Sequence, residues 1–484
     1  MFFNSLTFAL FFALFFLLYW FLFNRTVKLQ NLFLLFGSYV FYGWWDWRFL
    51  FLLAGSSLLN YYLGILIAGA KSEKRRNFLI WTGLLQGLGS LLFFKYFNFF
   101  IASLTAALLK FNIRLDVYTL NIILPLGISF YTFKTISYLL DIKKGKIEPS
   151  RDWVVFFGYV AFFPTVTSGP IDRPGALIPQ LKKQRVFNYS QASDGMRQIL
   201  LGLFKKIVIA DNCAAFTTEI FSNYKTLPAS SLLFGAFLFT MQIYTDFSGY
   251  SDIAIGISNL LGFKVTRNFD SPFFAQNIAD FWRRWHITLT TWLTDYVFTP
   301  LSIYFRNYGK MGTILAILIN FTLIGIWHGA NFTFLLFGFL HGCYYIPLIL
   351  RGTFGKKKKV IAGTGSKFSI GEIINVILTF LLVMFTFVIF RADTLTQAFD
   401  YYRRLFSVTI FTMPVITETV NTAVVLLAVI LLFWAEWQQR GKQHILQIDF
   451  IKAFPVRALI YFGLILLILS FSATKNADFI YFKF

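Results

Sequence analysis

The sequence predicts an all-α, polytopic membrane protein of about eleven transmembrane helices, with re-entrant and interfacial helices between them. Three observations predict it. First, 57% of the 484 residues are hydrophobic and 20% aromatic, with 64 Phe and a mean hydropathy of +0.64, a composition outside the range of soluble domains. Second, the chain carries about eleven to thirteen apolar stretches near the ~20 residues that a spanning helix needs. Third, these stretches lack the alternation of barrel strands, so a backbone buried in lipid has to satisfy itself as helix.

The formal charge of +22 resembles that of a nucleic-acid binder, but the basic residues sit in short clusters between apolar runs. Arg25 with Lys28, Lys71 to Arg76, Lys143 to Lys146, Lys182 to Arg185 and Lys356 to Lys359 form such clusters. This is the positive-inside pattern, and it excludes nucleic acid as the expected partner. Membrane lipid headgroups and an anionic donor on the cytoplasmic face fit the charge instead. Cys213 and Cys343 have no metal-ligand spacing and read as small buried residues, so no metal site is expected.

Taken in order, residues 8–23 form an apolar first segment with no charged region before it, expected as a retained span and not a cleaved signal. Arg25 and Lys28 after it place the amino terminus outside. Residues 32–42 and 49–68 form a hairpin across the Trp44-Trp45-Asp46-Trp47 turn, which suits an outer aromatic belt. Between residues 78 and 142, Lys95, Lys110 and Pro125-Leu126-Gly127 interrupt the apolar pattern, as half-helices or a re-entrant element would. The apolar stretch 153–170 precedes a polar, basic stretch to Arg197, expected as the longest loop of the first half. Further apolar runs cover residues 199–209, 231–261, 312–327, 333–350, 373–390, 423–433 and 459–471. The loop near Lys356 is expected inside and the tail, residues 477–484, outside. Residues 1–484 read as a single integral-membrane domain whose motif-bearing core spans about 120–350.

Function is sought among polar groups that a greasy fold retains. Trp282, Trp285, Leu289 and Trp292 share one helical stripe, with Arg283, Arg284 and His286 on adjoining faces. One reading is an interfacial helix with snorkelling arginines. The other is a cytoplasmic-side grip on an anionic cofactor such as coenzyme A or a carrier's phosphopantetheine. His328 ends the apolar run that follows Lys310, and eighteen helical residues would carry it about 27 Å away, towards the outer half of the bilayer. Gly329 then leaves room for a ligand and Asn331 lies near. A satisfied core histidine and a general base that removes a hydroxyl proton both fit. His341 and His444 read as structural. Asp246 and Asp252, with Gln242, Tyr244, Ser248 and Tyr250, fit either helix-to-helix hydrogen bonding or a polar wall or proton path. Ser248 is not in a Gly-x-Ser-x-Gly elbow and is no candidate nucleophile.

Gln242-Ile243-Tyr244-Thr245-Asp246-Phe247-Ser248-Gly249-Tyr250-Ser251-Asp252, then Phe281-Trp282-Arg283-Arg284-Trp285-His286, then Trp327-His328-Gly329-Ala330 resemble the membrane-bound O-acyltransferase family. The likeness is greatest to its alginate and peptidoglycan O-acetyltransferase branch. It extends to Pro125-Leu126-Gly127, Ser168-Gly169-Pro170-Ile171 and Phe479-Ile480-Tyr481-Phe482. The chain departs from that branch at Thr299-Pro300-Leu301-Ser302, where a Pro-Leu-Gly-Gly type of loop is more usual. The resemblance implies helices around a central funnel or tunnel, with His328 catalytic and His286 the second family histidine. It implies a thioester donor, acetyl-CoA or a carrier-protein thioester, with no resident cofactor, and a separate extracytoplasmic acetyltransferase as partner. The candidate donor- and substrate-binding residues are Arg283, Arg284, Trp285, Asp246 and Asn331.

The expected function is acyl transfer, most readily acetyl, from a cytoplasmic thioester across a bacterial inner membrane to a polysaccharide hydroxyl or to that partner. The alternative is a transporter or flippase of a polysaccharide or lipid precursor, which broken helices and intramembrane carboxylates suit equally. The acceptor stays open among alginate, another exopolysaccharide and peptidoglycan.

Overall fold

The computed structural model describes residues 1–113, 120, 122–355, 369–416, 419–472 and 479–480, and no strand occurs among them. The Lys356 to Lys359 cluster, Tyr481 and Phe482 lie outside the described residues. Among the described residues, seven helical stretches are long and apolar enough to cross a membrane by length and composition: Arg48–Gly69, Glu73–Leu109, Arg306–His328, Phe332–Leu350, Ile370–Arg391, Val420–Gln438 and Phe454–Ser472. A shorter apolar helix runs Leu6–Leu22. The chain divides into two compact units, Met1–Met196 with Ala254–Thr266, and Arg197–Ile253 with Arg267–Phe484.

In the first unit α1 (Leu6–Leu17) starts where the Ser5 hydroxyl accepts the Phe8 amide at 3.1 Å, satisfying one of the free donors of a helix start. α2 (Val27–Gly43) and α3 (Phe49–Gly69) form the expected hairpin, with Trp44 and Trp47 exposed at its turn. α4 (Glu73–Leu91) continues through a π-helical turn, Leu92–Tyr96, into α5 (Phe97–Leu109). The expectation that Lys95 breaks this region into half-helices is overturned, because the whole stretch Glu73–Leu109 is helical. The reason is that a lysine costs solvation at its tip only, whereas its backbone amide stays in the helical ladder. The break at Pro125-Leu126-Gly127 is as expected. Gly127, at φ +69°, opens α6 (Ile128–Lys143), and a Cβ there would lie 2.2 Å from the Val166 carbonyl oxygen.

α7 (Trp153–Ala161) begins on the Asp152 side chain, which accepts the Val154 amide at 2.9 Å, and α8 (Phe163–Val166) follows. The expected long loop to Arg197 is instead mostly helical, as α9 (Pro174–Leu181) and α10 (Tyr189–Leu203). Polarity misleads there and start signals do not: Pro174 presets the first turn of α9, and Asn188 accepts the Gln191 amide at 2.9 Å ahead of α10.

The second unit starts within α10, which passes through a π-helical segment, Phe204–Ala210, into α11 (Asp211–Ser222). α12 (Ala229–Leu260) carries the Asp246 motif. α13 (Ile278–Arg284), α14 (Ile287–Leu293) and α15 (Thr299–Tyr304) are short. α16 (Gly309–His328) and α17 (Phe332–Cys343) pack back to back, with α18 (Ile346–Leu350) beyond. Their contact depends on two glycines: a Cβ at Gly325 would lie 2.2 Å from the Phe334 carbonyl oxygen, and one at Gly338 would lie 2.3 Å from that of Phe321. α19 (Ile370–Arg391), α20 (Leu395–Leu405), α21 (Thr419–Gln438) and α22 (Phe454–Ser472) complete the unit.

Candidate active site

The aromatic-basic segment is two helices and not one. α13 ends at Arg284, Trp285 is extended, and His286 adopts φ +43°, ψ +53° before α14 begins. The expected continuous tryptophan stripe at an interface is therefore overturned, and Trp282, Trp285 and Trp292 are all buried. A left-handed histidine costs about 1–3 kcal/mol and persists only where its surroundings impose it. Here a neighbouring stretch does so. The Asp270 amide donates to the Arg284 carbonyl at 2.9 Å, and the Ile287 amide donates to the Asn268 carbonyl at 2.9 Å. The Asn268 side-chain oxygen accepts both the Thr288 amide, at 3.2 Å, and the Thr288 hydroxyl, at 2.9 Å. Asn268 is itself fully buried and donates to Ser251 of α12 at 3.3 Å.

This turn delivers His286 into an aromatic interior. Its ring lies 4.6 Å from the ring of Phe247 and 5.6 Å from that of Trp327, between centroids. Trp327 in turn lies 4.9 Å from the imidazole of His328, the last residue of α16. The two sequence-predicted histidines thus flank one indole, 1% and 3% exposed. Burial pushes the His286 pKa down to about 3, so its ring is neutral at physiological pH. The edges of Phe337 and Phe390 close the other sides of His328, at 5.9 and 5.0 Å.

The other predicted residues divide. Gly329 does not open space for a ligand, because a Cβ there would meet the Phe334 ring at 2.4 Å. Asn331 caps α17, accepting the Thr333 amide at 3.0 Å and donating to the Asp393 carbonyl at 2.9 Å. Trp285 stacks on Phe281 at 5.4 Å. Arg284 is held by Asp280 at 3.2 Å and by the Asp270 carbonyl at 3.3 Å. Arg283 reaches Asp280 only at 3.8 Å and keeps 37% of its side chain exposed, which leaves its guanidinium the more available of the two.

Asp246 belongs to a buried ionic cluster. Its carboxylate accepts Lys206 at 2.9 Å and the Ile480 amide at 2.9 Å, while Lys206 also holds Asp211 at 2.8 Å. Asp252 pairs with Lys205 at 2.8 Å and accepts from Gln198 at 3.1 Å. Tyr244 donates a short hydrogen bond to Glu436. Sequence reasoning missed Lys205, Lys206 and Glu436, although two adjacent lysines inside an apolar run were a visible signal. It also missed the bond from the Trp282 indole N–H to His341 Nδ1, 3.2 Å long, which no local pattern announces.

A multi-pass, all-helical membrane protein with paired buried imidazoles is the class that fold and site define. Comparison with known proteins gives the class its name. The sequence profile of the membrane-bound O-acyltransferase family matches residues 150–350. The protein named "Probable alginate O-acetylase AlgI" of Pseudomonas aeruginosa is 37% identical over 383 residues, covering 78% of this chain and 70% of that one. The peptidoglycan O-acetyltransferase of Helicobacter pylori is 33% identical over 403 residues, covering 76% and 72%. The teichoic acid D-alanyltransferase of Bacillus subtilis is 29% identical over 283 residues, covering 56% and 69%. The chain belongs to the membrane-bound O-acyltransferase family and is an acyltransferase.

Proposed function

We propose that this acyltransferase moves an acetyl group from a cytoplasmic thioester, acetyl-CoA or an acyl-carrier thioester, to a hydroxyl of a cell-surface polysaccharide or of an extracytoplasmic partner transferase, in a bacterial inner membrane. The observation that carries the reading is the pair of buried imidazoles on either side of Trp327, one of them held in a left-handed turn. Acyl transfer to a hydroxyl needs a base that is unprotonated at working pH, and a neutral imidazole meets that need. His328 takes the hydroxyl proton as the oxygen attacks the thioester carbonyl; the C–S bond then breaks and the leaving thiolate takes the proton back. His286 orients the donor and the proton path, Trp285, its neighbour in the chain, and Asn331, three residues after His328, contribute to donor and substrate binding, and Arg283, with Arg284, meets the donor's phosphates. Asp246 acts from the ionic cluster by fixing α12, whose Phe247 packs on His286. The relatives act, by their names, on alginate, peptidoglycan and teichoic acid, which supports a cell-envelope or secreted polymer as acceptor.

The test is the ester acyl content of the envelope and of secreted polysaccharide in a deletion strain complemented with wild type, His328→Ala or His286→Ala at matched membrane expression. Wild type is expected to restore the ester and His328→Ala to leave it absent; the acid released by mild alkali identifies the acyl group. Full restoration by His328→Ala overturns the assignment of His328 as the base.

A further inference from the structure

His341 reads from sequence as a core histidine, but its surroundings give it a defined polarity. Nδ1 accepts the Trp282 indole N–H at 3.2 Å, and indole can only donate. In the neutral ring the proton is therefore on Nε2, which becomes a donor. His341 has no exposed surface, and among the described residues Nε2 has no hydrogen-bond partner. Buried donors are paired as a rule, so this N–H is built for an acceptor that the described residues do not supply. Its place is next to the transfer site. The Phe337 ring lies 4.5 Å from His341 and 5.9 Å from His328, between centroids, so one phenyl ring touches both imidazoles. Phe281 and Tyr344 also pack against His341, at 6.4 and 5.6 Å between centroids. The Gly325–Gly338 contact fixes the helices that carry His328 and His341 against each other, so the spacing of the two rings is set by backbone packing.

We propose that His341 is a third functional histidine, whose Nε2–H, oriented by Trp282, donates to the carbonyl oxygen of the acyl group in transfer. This rests on the acyl-transfer reading above. As the acceptor oxygen bonds to the carbonyl carbon and its proton passes to His328, the carbonyl π pair moves onto oxygen. That oxyanion takes the His341 hydrogen bond. When the C=O bond re-forms, the C–S bond breaks, the thiolate leaves, and the proton on His328 goes to sulfur. A fixed donor in a buried aromatic site needs no reorganisation as the charge appears, which is the condition under which such donors act most strongly.

The experiment measures the initial rate of ester accumulation after induction, per folded membrane protein, in the deletion strain carrying wild type, His341→Phe, His341→Gln or His328→Ala. Heat stability of each purified full-length chain is read in parallel. His341→Phe keeps ring bulk and removes the donor, and is expected to slow transfer about 100-fold with stability unchanged. His341→Gln keeps a side-chain N–H, and is expected within about tenfold of wild type, a rescue that a packing role would not give. The proposal is overturned by a His341→Phe rate within about twofold of wild type, by equal losses in Phe and Gln, or by losses that merely track folded protein. Full activity in His328→Ala refutes the underlying assignment of His328 as the base, and that result is distinguishable because it does not involve His341.

Discussion

Replacing Lys206 with methionine keeps the length of the side chain and removes its charge from between two carboxylates. In the wild type its ammonium lies 2.8 Å from Asp211 and 2.9 Å from Asp246, and the three side chains are 8%, 5% and 3% exposed. Water therefore screens these contacts little. With Lys206 gone, two anions face each other in a site that cannot hydrate them, and one must take up a proton or the helices must part. Breaking a buried pair in this way costs about 3–5 kcal/mol. Asp246→Asn is milder: one anion goes, Lys206 keeps Asp211, and the amide oxygen still accepts the Ile480 N–H, for a cost of about 1–2 kcal/mol. Because the double variant Lys206→Met/Asp246→Asn relieves the repulsion, it is expected to be more stable than the sum of the single losses by about 1 kcal/mol or more. The assay is the folded fraction of purified protein in detergent against denaturant, read by size exclusion and tryptophan fluorescence. A Lys206→Met cost near the ~0.5 kcal/mol of a surface change, or strict additivity in the cycle, would show that the cluster is hydrated and that the reasoning is wrong.

Acid is expected to destabilise the protein through His286, whose pKa is lowered by burial from the ordinary 6.5 to about 3. Between those values the unfolded chain binds the extra proton, so stability is present above the unfolded pKa and is lost as pH falls towards 3, by at most about 1.4 kcal/mol per pH unit. Unfolding midpoints measured from pH 7 to pH 4.5 should show a shallower loss in His286→Asn than in wild type, and an identical slope would count against a buried neutral ring. Gly325→Leu and Gly338→Leu place side-chain carbon against backbone oxygen at 2.2 and 2.3 Å, so neither variant is expected to yield folded protein at wild-type levels. Normal yield and monodispersity of either would refute the close helix contact.

Much of the fold was legible because its signals are local. Long apolar runs, the hairpin at Trp44 to Trp47, the break at Gly127 and the helix that ends at His328 follow from composition and turn chemistry within a few residues. Lys95 and the stretch before Arg197 misled for one shared reason: side-chain polarity was read as a backbone break, whereas a helix satisfies its backbone whatever its side chains carry.

At the site, the sequence by itself determined which groups were present and in what order: the Asp246 segment, the Trp282 to His286 segment and Trp327-His328. It also determined that a lipid-soluble chain retains them. Only the tertiary structure decided their relations. The left-handed turn at His286 depends on hydrogen bonds from residues 268–270, and the pairing of Asp246 depends on Lys206 in a π-helical segment of another element. The polarity of His341 depends on an indole on α13, 59 residues away. Helical periodicity reports which side of a helix is apolar, but a hydrogen bond between helices requires that both be placed to within tenths of an ångström. That placement is set by the packing of the whole unit, down to two glycines between α16 and α17, and no local stretch of sequence contains it.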